Sequence, residues 1–289
     1  MEKENEGVEG AEDKEENKIL EEELEEEKEL EEVEEEKEEE REEKEVLDKE
    51  AEEILEEAKD EMERWVPKTK LGKMVKEGKI TDIKQIFEKG LKIKEPEIVD
   101  FLIPNLKQEL ILIGGTSGKG GGIQRRPVRR TVRVHASGKR MSFSILSVIG
   151  NENGYIGIGF GKSDDTKKAL AQAINKAKKN IFPIVRGCGS WYCACKRPHS
   201  IPFSVRGKKG SVRVILLPAP RGLGLCAQDE IKKILRLAGI KDIRMNSFGN
   251  TGARINFVYA VEDALKNLIR LKIKPEDYEN KGIVVGAIE

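Results

Sequence analysis

Tyr155-Ile156-Gly157-Ile158-Gly159-Phe160-Gly161 is the stretch on which the fold turns. It alternates large apolar residues with glycine. As a strand it therefore sets Ile156, Ile158 and Phe160 on one face and three bare backbones on the other. Moving backward, Asn151-Glu152-Asn153-Gly154 supplies turn chemistry through its Asn-Gly pair. The strand before it alternates Met141, Phe143 and Ile145 with polar residues and runs on through Val148. Ala136-Ser137-Gly138-Lys139 joins that strand to an earlier one, Arg129-Arg130-Thr131-Val132-Arg133-Val134-His135, in which β-branched residues alternate with cations. Moving forward, Lys162 closes the glycine strand, and Ser163, Asp164, Asp165 and Thr166 offer helix N-caps. The helix they open buries Leu170, Ala173, Ile174 and Ala177 and turns Lys167, Lys168, Lys176, Lys178 and Lys179 the other way. Residues 129–179 thus read β-β-β-α. A strand face without side chains admits close approach of another backbone, and the neighbouring helix N-terminus offers N–H groups to an anion. A hairpin whose glycines merely ease sheet twist fits the same letters, and the surrounding arginines weigh toward a polyanion.

The whole-chain charge of −1 conceals a segregation. Residues 1–64 carry 35 acidic and 10 basic side chains, a net of −25, and the remaining 225 residues carry 19 acidic and 43 basic, a net of +24. A body so basic is expected to lie on phosphates. No apolar run reaches the roughly 18–20 residues a membrane span needs, and an acidic start excludes a secretory signal. Three of the four cysteines crowd between 188 and 195 beside a histidine, which favours a metal over disulfides and a reducing cytoplasm.

Residues 1–64 are low-complexity Glu/Lys with drifting apolar spacing, expected as an extended acidic tail or a solitary helix rather than a coiled coil. Such a tail either screens the basic body before assembly or simply solubilises it. The composition changes at Trp65-Val66-Pro67-Lys68-Thr69-Lys70-Leu71-Gly72, where Trp65 is an amphipathic anchor for protein or RNA. Short helices are expected at Val75–Gly78, Ile83–Phe87 and Glu97–Phe101, broken at Gly90, Pro96 and Pro104, as an irregular arm against the first domain. The glycine run 114–122 resembles a phosphate loop only superficially. Its spacing is wrong and Lys119 is followed by Gly rather than a hydroxyl, so a flexible loop is expected. Beyond it stand Arg125, Arg126, Arg129, Arg130 and Arg133, a density suited to neutralising several phosphates.

Cys188, Cys193, Cys195 and His199 place four zinc-type ligands in twelve residues shaped by Gly and Pro. Cys193 and Cys195 can share a metal only if Ala194 sits in a tight turn, because extended neighbours point to opposite sides. Three free thiols in a core loop remain the other reading. Four occupied positions leave no room for hydrolytic chemistry. Cys226 stands apart at a helix start and reads as an apolar filler. The second domain begins near Pro202. Ser211–Leu217 reads as a buried strand, stopped by Pro218-Ala219-Pro220-Arg221-Gly222-Leu223-Gly224-Leu225. A helix follows with Ile231, Ile234, Leu235 and Ala238 inward and Gly239 as its left-handed stop. Ile240–Met245 is the next strand, and strand–helix–strand implies a parallel pair. A last long helix carries Phe257, Val261, Ala264, Leu265, Leu268 and Ile269 on one stripe.

These residues resemble a known family. Trp65–Gly72, Val148–Lys162, Arg186–Cys193, Gly210–Val214, Pro218–Leu225 and Ala238–Asp242 match, in order, the universal small-subunit ribosomal protein number five in its archaeal form (number two in the older eukaryotic naming). The acidic leader and the glycine loop depart from it. The resemblance implies an α+β chain. Its first domain would be like the double-stranded-RNA-binding fold, and its second would be shared with the galactokinase–mevalonate kinase group, with an uncommon left-handed crossover. The divisions expected are a tail at 1–64, an arm and glycine loop at 65–124, the RNA-binding-like domain at 125–183, a zinc-knuckle-like linker at 184–201 and the C-terminal domain at 202–289. The family sits near the mRNA entrance of the small subunit, touches rRNA and ribosomal proteins four and eight, and bears on decoding accuracy. The implied partners are thus small-subunit rRNA, those two proteins and mRNA at the entrance channel, in the cytoplasm, with no membrane and no small-molecule substrate.

The RNA-contacting set expected is Lys68, Lys70, Arg125, Arg126, Arg129, Arg130, Arg133, His135, Lys139, Arg140, Gly157, Gly159, Gly161, Lys162 and Arg221, with structural Zn2+ on Cys188, Cys193, Cys195 and His199. Two other classes compete, a phosphotransferase built on Pro218–Leu225 and a soluble zinc regulator of mRNA. A kinase of that group wants Gly-Leu-Gly-Ser-Ser and an acidic catalytic residue. Here Leu225 and Cys226 follow Gly224, so the hydroxyls for phosphate and magnesium are missing and no enzyme is expected.

Overall fold

The computed structural model describes residues 65–103, 105–117, 122–193 and 195–287. The expected acidic tail, the break at Pro104, the tip of the glycine loop and the turn at Ala194 lie outside the described residues.

The arm consists of α1 (Lys70–Lys76), α2 (Ile83–Glu88) and α3 (Glu97–Leu102). The Thr69 hydroxyl caps α1 by accepting from the Gly72 N–H at 3.1 Å. Helices this short are marginal alone and hold by packing. One small cluster joins Leu71, Val75, Ile80, Ile86 and Ile98, with Trp65 resting on it, so the anchor packs on protein. A second joins Ile83, Val99 and Ile103 to Tyr155 and Ile181, which seats the arm on the main sheet. Asp100 on α3 adds an ion pair to Lys178 at 2.8 Å, with side chains 14% and 3% exposed.

The main sheet joins Lys107–Leu110 (β1), Gly138–Gly150 (β5), Tyr155–Ser163 (β6) and Phe182–Pro183 (β7) in that order, all antiparallel, with Arg129–His135 (β4) pairing the first half of β5. β2 (Gly114–Ser117) and β3 (Ile123–Arg126) form a separate antiparallel ribbon. The stretch expected as loop is thus strand at its base, at 114–117. β4 (Arg129–His135), β5 (Gly138–Gly150), β6 (Tyr155–Ser163), α4 (Thr166–Lys179) and β7 (Phe182–Pro183) complete the β-β-β-α unit.

The glycine face of β6 is covered by α4. A Cβ on Gly157 would stand 2.2 Å from the Ala177 carbonyl oxygen, one on Gly159 2.0 Å from that of Ala173, and one on Gly161 1.9 Å from that of Ala169. Glycines two apart on a strand repeat every ~6.6 Å and alanines four apart on a helix every ~6 Å, so the two bare edges mesh. The close backbone that the glycines admit belongs to this chain, and the expectation that Gly157, Gly159 and Gly161 face RNA is corrected. Lys178 is corrected too, since it falls four residues beyond Ile174 on the buried stripe and is not part of the outward basic side.

The opposite face, with Leu146, Val148, Ile156 and Ile158, merges into one core with the second half of the chain. β8 (Val185–Arg186) leads through the cysteine segment to β9 (Val205–Lys209), β10 (Val212–Pro218) and β11 (Leu225–Cys226). α5 (Asp229–Leu237), β12 (Ile243–Phe248), α6 (Arg254–Arg270), α7 (Pro275–Lys281) and β13 (Val284–Val285) follow. The second sheet runs β11-β12-β10-β9. β10 and β12 are antiparallel, against expectation. The parallel partner of β12 is the short β11, inserted after the Pro218–Gly224 loop, so the α5 crossover starts one strand later than the sequence implied. Cys226 accordingly sits exposed on β11 and is no core filler. α5 buries Ile231, Ile234 and Leu235, and Gly239 ends the turn beyond it at φ +76°. α6 buries Phe257, Val261, Ala264, Leu265 and Leu268, whereas Ile269 at the end of that stripe is exposed. β13 returns to pair antiparallel with β8.

Candidate nucleic-acid interface and metal centre

The β4–β5 hairpin extends beyond the part of the sheet that α4 covers, and every residue from Val132 to Met141 is exposed. Register fixes two faces. Arg133 lies opposite Arg140 and Thr131 opposite Ser142, while Val132 lies opposite Met141 and Val134 opposite Lys139. Like charges directly across a ladder repel. Among the described residues no carboxylate pairs with Arg129, Arg130, Arg133, Lys139 or Arg140, and Arg140 donates only to the Ser137 hydroxyl at 3.2 Å. The hairpin therefore carries uncompensated cations on both faces, Arg129, Arg133 and Arg140 on one, and Arg130 and Lys139 beside the exposed Val132, Val134 and Met141 on the other. Lys162 is exposed at the end of β6. Lys68, Lys70 and Arg221 are also exposed but sit on other elements, and Arg125 and Arg126 lie half-buried in the β2–β3 ribbon.

The cysteine cluster closes as the spacing requires. The donor atoms of Cys188, Cys193, Cys195 and His199 all lie within 4.8 Å of one another. His199 Nε2 is 3.7 Å from Cys193 Sγ, and the Cys188 thiol donates to the Cys193 carbonyl at 3.0 Å. Lys196, in the left-handed region at φ +53°, helps the chain double back. Burial and the neighbouring thiols push the Cys188 thiol up to about 11. The Arg221 and Cys195 backbone N–H groups draw Cys193 down to about 6. A crowded set of one thiolate-prone and two further thiols with an imidazole is the donor chemistry of a closed tetrahedral zinc site, and no fifth protein ligand or open position is needed.

A residue that spacing did not single out completes this centre. Asp242 Oδ2 lies 2.9 Å from His199 Nδ1, which leaves Nε2 directed at the cysteines, and both side chains are buried. Its other oxygen, Oδ1, accepts from the Gly222 and Gly224 N–H groups at 3.0 and 2.9 Å. The Pro218–Leu225 loop is therefore tied to the cluster. Two amides that a phosphate loop would present to nucleotide are used internally, which removes the geometric basis of the phosphotransferase reading. Asp242 ends the matched segment Ala238–Asp242, and that was its only sequence signal. The C-terminus closes the other side, where the Cys188 N–H donates to the Lys281 carbonyl at 2.8 Å. Trp191 and Tyr192 project from the loop, 100% and 91% exposed, and nothing in their spacing marks them.

Comparison with known proteins accords with both halves of this architecture. The family described as Ribosomal protein S5, N-terminal domain, matches residues 127–185, and Ribosomal protein S5, C-terminal domain, matches residues 207–276. Small ribosomal subunit protein uS5 of Nanoarchaeum equitans is 48% identical over 227 residues, covering 78% of this chain and 97% of that protein. The uS5 proteins of Staphylothermus marinus and Methanobrevibacter smithii are 46% and 45% identical, over 76% and 77% of this chain and 95% and 97% of theirs. With both domains matched in order and relatives covered almost end to end, the chain belongs to the ribosomal protein S5 (uS5) family, a family of structural proteins of the small ribosomal subunit and not of enzymes.

Proposed function

We propose that the chain binds small-subunit rRNA near the mRNA entrance and decoding region, beside ribosomal proteins four and eight, and there supports assembly and translational accuracy in the cytoplasm. The observation that carries this reading is the β4–β5 hairpin, whose cations have no carboxylate partner among the described residues. Phosphates would supply the missing counter-charge, and Arg133 beside Arg140 becomes favourable once an anion lies between them. Val132, Val134 and Met141 on the other face suit the apolar sides of sugars or a neighbouring protein. Trp191 and Tyr192 offer flat rings on which unpaired bases stack.

Structural zinc is part of the same proposal. Cys188, Cys193, Cys195 and His199 would hold it, and it would supply a rigid, non-reactive clip across residues 188–199, which Asp242 and the Lys281 carbonyl in turn tie to their own segments.

Replacing Arg133, Lys139 and Arg140 by Glu in the full chain is expected to weaken binding to a small-subunit rRNA fragment and to lower the slope of log affinity against log salt by about 2–3. Filter binding between low and moderate salt reads both quantities. Unchanged affinity and slope would defeat the RNA reading.

A further inference from the structure

A cleft of ≈ 720 Å³, apart from the hairpin, lies where the β5–β6 turn, β8, the cysteine loop and the end of α5 meet. Five cations line it, namely Arg186, Arg197, Arg221, Arg236 and Lys241. Among the described residues only two carboxylates do so, and both are committed elsewhere. Glu152 pairs with Lys107 at 2.8 Å. Asp242 spends one oxygen on His199 and the other on two glycine amides. The negative end of α5 is also answered, because the Leu237 carbonyl accepts from the Glu152 N–H at 2.9 Å and the Gly239 carbonyl from Arg186 at 3.3 Å.

Arg186 is the unusual member. It is 97% buried, yet no carboxylate faces it among the described residues, and its Nε has no hydrogen-bond partner. Its other donors meet only neutral oxygens, those of Gly239, Gly286 and the Asn153 side chain. A desolvated guanidinium without a counter-ion is costly to keep, and its field is focused into an open cleft by low-dielectric walls. The four solvent-facing cations around it supply the hydrogen-bond donors.

We propose that this cleft binds a phosphate group of RNA, as a second contact separate from the hairpin. Arg197 and Arg221 stand on the two loops joined at the cysteine cluster, so the knuckle sets two of the four reaching side chains. The inference rests on the RNA-binding reading but is tested independently of it. Isothermal titration of the full chain with inorganic pyrophosphate, compared between variants of the two places, separates the cleft from the hairpin. Arg197 and Arg236 are exposed, so the double variant Arg197→Glu/Arg236→Glu keeps the fold. It is expected to weaken pyrophosphate binding about tenfold or more, while Arg133→Glu/Arg140→Glu leaves it within about twofold. With a small-subunit rRNA fragment both variants lose affinity, each with a shallower salt slope. Equal pyrophosphate binding by wild type and Arg197→Glu/Arg236→Glu overturns the site. Weakened pyrophosphate binding with unchanged RNA affinity and slope overturns RNA as the source and assigns the cleft to a free phosphate compound. If instead the hairpin variant alone leaves RNA binding unchanged, the earlier reading fails and the cleft result stands.

Discussion

Asp242 shows how much one side chain can organise when each of its oxygens has a separate task. It fixes which nitrogen of His199 meets the cysteines and simultaneously holds the Gly222–Gly224 backbone. Partners of this kind orient a ligand and raise its basicity, and their loss costs about 10–100-fold in metal affinity. Metal analysis of the purified chain is expected to give about one zinc per molecule, absent in Cys193→Ser and bound about 10–100-fold more weakly in Asp242→Asn by competition with a chelator. A folded, metal-free wild-type chain would defeat the assignment. His199 and Asp242 are 43 residues apart, which is why spacing alone marked the cluster but not the residue behind it. Lys178 illustrates the opposite case. Leu170, Ile174 and Lys178 stand at four-residue intervals, so its burial was legible, and reading its charge before its position hid it.

At the scale of elements, the joint between β6 and α4 is the most demanding feature of the first domain. The second domain repeats the device. A Cβ on Gly207 of β9 would stand 2.1 Å from the Ala260 carbonyl oxygen and 2.4 Å from the Ala264 nitrogen of α6. These obstacles are backbone atoms, which cannot swing aside as a side chain can. Gly159→Ala is therefore expected to destabilise the chain by about 3 kcal/mol or more, seen as a lowered denaturation midpoint, although alanine is among the smallest of changes. The arm is held differently. Burial lifts the Asp100 carboxyl above its ordinary value despite the pull of Lys178. The ion pair therefore places the arm more than it stabilises it. Asp100→Asn is expected to cost about 3 kcal/mol by stranding the Lys178 charge, and Asp100→Leu with Lys178→Met to recover most of that loss, both read by chemical denaturation. Alternation of period two made β4, β5 and β6 legible. β1, β7 and β11, of four, two and two residues, are too short to carry a pattern. The missing β11 is why the second sheet was given the wrong parallel pair.

Across the molecule, the charge segregation, the two-domain order and the ligand cluster were all open to reading, because composition and local spacing carry them. The cleft was not. Its lining comes from residues between 152 and 242 that only folding assembles, and Arg186 reads in sequence as one more arginine on a short strand. The C-terminal segment has a role of the same long-range kind. Lys281 bonds the backbone at Cys188, β13 pairs with β8, and the Gly286 carbonyl accepts from Arg186. Residues 281–286 are thus a clasp for both the cysteine loop and the cationic pocket. Loosening residues 281–286 would therefore free the backbone at Cys188 and cost the Arg186 guanidinium one of its acceptors, so that a change at this one edge is felt at two places.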